Sequence, residues 1–348
     1  MTTTIGTDAN ANNNNTKRDD AAGAATEEAR LKLARLLLSK NGLEELPAEE
    51  VVEAALRRHK NPTVAFSGGK SSLVVLHMAW LRNPGVKAIF NNTGVEIPGT
   101  VEYVRRLARD WGFELIETEP VKPDPSSATL AFWQCWDLFG PPAVKGSPSA
   151  KADPGRGKRN LSHPACCVYL KELPSRRAYS AHGIDAVLRG LQAVESRMRT
   201  LTLGENGQCR FNRRLGVWTY DPIAFWTEGQ VWEYIRRNGL PYNPAYDRGF
   251  KRTGCLPCTA HKHWPEKLAR TYPAVRDMLL KRIGHDQNGN KVLLHWVESC
   301  LQTEMAAGAG ASVRAGTAIG AADGPGAIGR LREQEEGDGD GGNWQRPL

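Results

Sequence analysis

The chain has 348 residues, with 46 lysines and arginines against 38 aspartates and glutamates, a formal charge of +8. That balance suits an anionic ligand or partner. No apolar run approaches the length that crosses a bilayer and no basic-plus-apolar leader opens the sequence, so a cytoplasmic protein without membrane partners is expected, whose seven cysteines serve metal or redox chemistry rather than a disulfide framework.

Residues 1–25 are rich in Thr, Asn and Ala and read as a disordered tail. Residues 26–60 predict two helices before any sheet, one over 26–41 capped by Thr26 and stopped by Gly42, the other over 48–59. An α/β domain is expected over 61–260. Its first β-type run, 63–66, enters Ser67-Gly68-Gly69, and a helix-period run through Leu73, Leu76 and Trp80 leaves it. Such a turn is suited to an anion. Its glycines let backbone N–H groups converge, the helix N-terminus adds partial positive charge, Ser67, Ser71 and Ser72 offer hydroxyls, and Lys70 a full charge. A Walker A loop would need a glycine five positions before Gly69, where Val64 stands.

Strand patterns at 86–90 and 113–118 flank a helix at 100–111 that Gly112 ends, and this alternation predicts a doubly wound parallel α/β sheet. In such a sheet the loop 91–98, with Asn92, Thr93 and Gly94, falls beside the glycine turn at the carboxyl ends of the strands. Residues 120–165 break the alternation and read as an insertion or lid. An aromatic helix (Phe132, Trp133, Trp136, Phe139) is followed by a basic stretch from Lys145 to Arg159, a candidate nucleic-acid surface though one without interleaved aromatics. Strand-like runs at 186–191 and 217–223 and a helix at 228–237, capped by Thr227, complete the domain. Helices at 265–283 and 292–305 predict a mainly helical part over 261–305, and the Gly/Ala-rich, acidic residues 306–348 a second disordered tail.

Cys166-Cys167 and Cys255-Leu256-Pro257-Cys258 are close pairs far apart in sequence, and four thiolates brought together by folding make a metal site. Thiolates suit zinc and iron-sulfur clusters alike. Adjacent cysteines diverge from a shared backbone, which is awkward for one tetrahedral ion and easier for a cube whose irons are separately liganded. A local zinc knuckle of Cys255, Cys258, His261 and His263 has its histidines too close for the usual finger. Cys135 and Cys209 have no partner in sequence and read as structural.

Ser67-Gly68-Gly69 with Ser72 resembles the PP-loop of the adenine nucleotide α-hydrolase superfamily. With the Asn92-Thr93-Gly94 loop, Cys166-Cys167 before Lys171, Gly190 with Glu195-Ser196 and Arg199, Trp226-Thr227 with Trp232, and Gly254-Cys255 with Cys258, residues 60–260 resemble the phosphoadenosine phosphosulfate (PAPS)/adenylyl-sulfate reductases. The resemblance implies an adenine nucleotide (PAPS, adenylyl sulfate or ATP) on the PP-loop. It also implies a [4Fe-4S] cluster on Cys166, Cys167, Cys255 and Cys258, Lys171 near cluster and substrate, and Ser196 and Arg199 on the phosphosulfate. A thiol donor such as thioredoxin is the implied partner.

Four departures stand out. Ser71 and Asn92 occupy positions where the family has aspartates, Gln192 stands where it has an arginine, and the C-terminal E-C-G-x-H element with the nucleophilic cysteine is absent. Cys300, the only cysteine after Cys258, lies in a helix-period run and reads as core. Two other functions therefore stand beside the reductase: ATP-dependent sulfur transfer to nucleic acid, of the tRNA-thiolation or DNA-phosphorothioation type, and a non-enzymatic nucleotide and cluster sensor.

Overall fold

The computed structural model describes residues 9–142, 164–259 and 264–284. A sheet of six strands runs through them: β1 (Pro62–Ala65), β2 (Lys87–Asn91), β3 (Leu115–Thr118), β4 (Ala186–Arg189), β5 (Cys209–Asn212) and β6 (Val217–Tyr220), in the order β3-β2-β1-β4-β6-β5. Neighbouring strands are parallel except for the β5–β6 hairpin. The chain winds outward from β1 in both directions, so the crevice between the loops after β1 and β4 is the switch point where doubly wound sheets hold ligands.

Burial explains the layers. Val64 of β1, Ala88 and Phe90 of β2 and Leu188 of β4 face one side, where α2 (Ala48–Arg58) and α3 (Lys70–Arg82) bury Val51, Val52, Leu73 and Leu76 against them. The same core takes Tyr103, Val104 and Leu107 of α4 (Thr100–Trp111), which Gly112 ends in the left-handed region at φ +73°, and Val231 and Ile235 of α9 (Glu228–Arg237). Ile89, Ile116 and Val187 face the other side, against Ala178 and Tyr179 of α7 (Leu173–Ala181). Thr227 caps α9 as expected, through a reciprocal box with Gln230. In a third core, Leu31, Ala34 and Leu38 of α1 (Ala9–Lys40) meet Leu203 of α8 (Arg197–Asn206). The helices cross so closely that a Cβ on Gly204 would lie 2.8 Å from the Ala34 carbonyl oxygen.

Several expectations are corrected. α1 begins at Ala9, not at Thr26: no proline interrupts the run, and its alanines favour helix strongly enough to pass a Thr/Asn-rich composition. β5 was not anticipated in Cys209–Asn212, because its strand character comes from pairing with β6 across a turn that Gly216 closes at φ +69°. The helix expected over 265–283 is two, α10 (Trp264–Thr271) and α11 (Pro273–Gly284), since Pro273 lacks the N–H that a continuous helix needs. The aromatic helix of the insertion is α5 (Ala131–Phe139). The basic stretch 145–159, His261, His263, the helix expected over 292–305 and Cys300 lie outside the described residues.

Candidate functional site

The glycine turn joins β1 to α3 as the sequence predicts. Gly68 takes φ +70°, and Ser72 ties the turn by donating Oγ–H to the Gly69 carbonyl at 2.9 Å and accepting from the Ser67 N–H at 3.3 Å. A segment that sequence reasoning passed over clamps it from above. Buried Asn243 donates Nδ2–H to the Gly68 carbonyl at 3.2 Å, and the Tyr246 hydroxyl accepts the Lys70 backbone N–H at 2.8 Å. A Cβ on Gly69 would come within 2.8 Å of Thr253 Oγ1. The sequence signal was Tyr242-Asn243-Pro244, a turn whose asparagine is buried.

Lys70 is placed differently from expectation. Its ammonium donates to the Lys251 carbonyl at 2.9 Å, pairs with Glu228 at 3.2 Å and lies 5.1 Å from the centre of the Tyr246 ring. Burial pulls its pKa down while Glu228 opposes the shift. It still lines a cavity of about 390 Å³, with Gln192, Glu195, Glu228 and Arg252 on one side and Thr26, Glu27 and Arg30 of α1 on the other. Three cations (Arg30, Lys70 and Arg252) and three carboxylates (Glu27, Glu195 and Glu228) share that wall.

The loop after β4 completes the crevice. Gly190 sits against the first turn of α3, where a Cβ would be 2.5 Å from the Ser71 carbonyl carbon and 2.6 Å from the Ser72 nitrogen, so its smallness serves close packing of the two loops. Two of the departures touch: Ser71 donates Oγ–H to Gln192 Oε1 at 2.7 Å. Gln192 is 2% exposed, and its Nε2 donates to the Trp226 carbonyl at 3.0 Å. Ser196, expected on the ligand, caps α8 by accepting the Arg199 N–H at 3.3 Å. Arg199 pairs with Glu195, whose main-chain carbonyl also accepts from Arg252 at 3.1 Å. Burial, and then the charge of Arg252, draws Arg199 down to about 10.

The second loop turns toward the cysteines rather than the PP-loop. Asn92 donates Nδ2–H to Glu117 at 2.7 Å, and Arg105 holds that glutamate's other oxygen at 2.8 Å. Gly94, at φ +73°, donates its N–H to Asn92 Oδ1 at 3.1 Å. Buried Thr93 donates to Glu96 at 2.8 Å and accepts from Cys255 Sγ at 3.5 Å. Glu96 and Cys255 form an antiparallel bridge, and Leu256 N–H donates to the Val95 carbonyl at 2.8 Å. Backbone pairing thus fixes the Cys255 turn beside this loop.

Cys166 and Cys167 lie in α6 (Ala165–Cys167), followed by a π-turn, Val168–Glu172, that carries Lys171. The four thiols are near enough to act on one another's ionisation. Cys166 is pushed up by donating to Cys167 and by burial, while that hydrogen bond, with Lys171 beyond it, holds Cys167 at about 7. Half-buried Lys171 is raised by Cys255 and then by Glu96, Cys167 and Cys258, so it stays charged. The apolar wall includes Phe132, Trp136, Leu170 and Trp264, with Cys135 buried in the same cluster. Among the described residues no three His, Cys, Asp or Glu side chains converge on a single metal-ion position. A tetrahedral ion needs all four sulfurs within about 2.3 Å of one centre, whereas a cube's irons are liganded separately. An all-thiol donor set, apolar walls and an adjacent cation fit a cluster that carries negative charge.

Residues 61–133 and 144–261 match the phosphoadenosine phosphosulfate reductase domain family. A Gloeobacter violaceus protein described as phosphoadenosine 5'-phosphosulfate reductase is 32% identical over 221 residues, which span 62% of this chain and 80% of that one. A Staphylococcus haemolyticus protein described as adenosine 5'-phosphosulfate reductase is 28% identical over 214 residues, spanning 61% and 76%. Among solved structures, a PAPS reductase from Candida auris in a phosphate complex aligns with a TM-score of 0.43 and 23% identity, over 61% of this chain and 89% of that one. With the family match spanning more than half of its length and a relative at this identity, the chain belongs to the phosphoadenosine phosphosulfate reductase domain family.

Proposed function

We propose that the protein is a sulfonucleotide reductase that binds adenylyl sulfate or PAPS in the switch-point crevice and releases its sulfonate as sulfite. The observation that carries this is the joining of the two halves of the site. The PP-loop packs against the Gly190 loop on one side and against Thr253 on the other, and Thr253 leads two residues on into the Cys255 turn, which supports a reading in which an anion on the PP-loop has its distal end toward Lys171, Arg199 and the thiols.

In this reading the N–H groups of Gly68, Gly69, Ser71 and Ser72 at the N-terminus of α3 hold the phosphate, while Arg199 and Lys171 offset charge at the sulfonate. A thiolate attacks the sulfonate sulfur and the bond to the phosphate oxygen breaks. The nucleotide leaves with that electron pair. A second thiol then releases sulfite and forms a disulfide, so two thiols are oxidised as sulfur is reduced. Both thiols are assigned to an external donor of the thioredoxin class. Cys166, Cys167, Cys255 and Cys258 would hold a [4Fe-4S] cluster, which would tune the electrostatics near the sulfonate.

Calorimetry of the anaerobically prepared protein with adenylyl sulfate, PAPS and ATP, with and without Mg²⁺, tests the reading. Binding of a sulfonucleotide that persists in EDTA and exceeds that of ATP, with sulfite released on adding a dithiol, is expected. Tight binding of ATP only with Mg²⁺ would transfer the site to ATP-dependent sulfur transfer. Iron and acid-labile sulfide should each approach about four per chain. Stoichiometric zinc in colourless, active protein would remove the cluster.

A further inference from the structure

Outside the crevice, the outer edge of the sheet carries two large aromatics in the open. Phe211 of β5 is 49% exposed and Trp218 of β6 is 39% exposed. They are register partners across the hairpin, edge to face at 5.9 Å, and His59 continues the row at 6.1 Å from Trp218. Such a pair stabilises a hairpin, but stabilising it does not require this much open apolar surface at a sheet edge, which proteins ordinarily cover or charge.

The groups around the row are cationic. Arg58 lies beside the Tyr220 hydroxyl, Lys60 follows His59 directly, and Arg213 and Arg214 form the hairpin turn. The nearby carboxylates are committed: Asp185 accepts from the Lys60 and Asn61 backbone N–H groups at 2.9 Å each, Glu172 pairs with Arg214, and buried Asp221 takes Arg210 at 3.2 Å. Among the described residues no carboxylate pairs with the side chains of Arg58, Lys60 or Arg213.

We infer that the β5–β6 hairpin is a docking surface for single-stranded nucleic acid, with Phe211 and Trp218 stacking on unpaired bases and Arg58, Lys60 and Arg213 following the phosphates. Open aromatic faces interleaved with cations are what sequence-tolerant strand binding requires. The turn lies at the amino ends of the parallel strands, opposite the end that carries the PP-loop, so the surface tethers a strand without filling the crevice.

The test is fluorescence anisotropy of the full chain with a labelled mixed-sequence 20-nucleotide single strand, DNA and RNA in turn, over a salt series. Binding should weaken as salt rises, with a log-log slope of about −0.7 per phosphate contacted, and a duplex of equal length should bind less well. The Phe211→Ala/Trp218→Ala double variant should bind at least about ten-fold more weakly. Arg213→Glu, exposed in the turn and harmless to the hairpin, keeps the test open if the aromatic variant unfolds. It should weaken binding and flatten the salt slope, with a sulfonucleotide in the crevice making no difference. Binding that Arg213→Glu leaves unchanged, or a preference for duplex, overturns the inference. So does sedimentation showing that the aromatic pair controls self-association and not strand binding.

Discussion

The contact between Ser71 and Gln192 gives the sharpest test of how the crevice is built. Ser71 donates to Gln192 Oε1 at 2.7 Å, and the amide, 2% exposed, spends its N–H on the Trp226 carbonyl at 3.0 Å. In Ser71→Asp a carboxylate faces that amide oxygen. Either the two acceptors repel, or the amide turns over and leaves Trp226, so one buried hydrogen bond is lost and one acceptor is unsatisfied. The loss of the bond and the stranded group together cost about 2–3 kcal/mol. Gln192→Arg alone puts a guanidinium into the same enclosed position with no carboxylate at 71 to meet it and with Glu195 already paired with Arg199, at a cost of similar size. In the double variant the two new groups satisfy each other, and a coupling of about 2 kcal/mol is expected, within the range for residues in contact. Thermal melts would show each single variant lowered by roughly 4–8 °C and the double lowered no further than either single, where additivity would double the loss. Calorimetric titration with a sulfonucleotide should follow the same order. Additive effects, with a coupling below about 0.5 kcal/mol, would refute the contact.

Three further outcomes follow from the geometry. Gly190→Ala places a Cβ 2.5 Å from backbone atoms of Ser71 that have no side chain to move, so a loss of about 1–3 kcal/mol and weaker nucleotide binding are expected in melts and calorimetry. Glu228→Gln releases Lys70 from a 3.2 Å pair whose carboxylate is 47% exposed; anion affinity at low salt should rise about two- to five-fold, and an unchanged affinity would mean that Lys70 does not meet the ligand. His77 is buried with Nδ1 at 3.0 Å from the Tyr234 hydroxyl, and burial lowers its pKa from 6.5. Because the unfolded chain then binds the proton more readily, stability should fall as pH drops from 6.5 through the depressed value, with His77→Gln removing that dependence in melts at pH 7.5 and 5.5.

What was legible in the sequence were the elements whose own residues determine them. The strand-turn-helix around Ser67-Gly68-Gly69, the Gly112 stop and the Thr227 cap are local chemistry, and each appears where the pattern placed it. The alternation also gave the doubly wound sheet. What was not legible depended on distant residues. β5 is a strand because β6 lies beside it, the lid of Asn243 and Tyr246 on the PP-loop spans more than 170 residues, and no local signal announces that a tyrosine hydroxyl will meet the Lys70 N–H. Composition misled at the N-terminus, where the polar, alanine-bearing run from Ala9 to Ala25 extends the helix already expected from Thr26. Side-chain roles were harder than positions. Ser196 is in the expected segment but serves as a cap, and Thr93 is in the expected loop but faces Cys255.

The exchange at 71 and 192 also changes what the missing carboxylates mean. Taken singly, serine in place of an aspartate removes a negative charge beside the phosphate loop and argues for a ligand bound without Mg²⁺. Yet Ser71 touches Gln192, which stands where the resembling family has an arginine, so an acid and a base are absent together and the net charge of the crevice is unaltered. A neutral hydrogen bond joins the two positions here. The case for metal-free binding then rests on Asn92, and its amide is occupied in donating to Glu117, whose carboxyl the Arg105 hydrogen bond, and then Asn92, hold below the ordinary glutamate range. Glu117 therefore remains a carboxylate, but one already neutralised by Arg105 and engaged by Asn92, and a cation recruited there would have to displace both. In the proposed reading the anion is met by N–H groups, Arg199 and Lys171 without a divalent ion, the wall carboxylates Glu195 and Glu228 being engaged by Arg199 and Lys70, and the comparison of sulfonucleotide with Mg²⁺-ATP measures that preference.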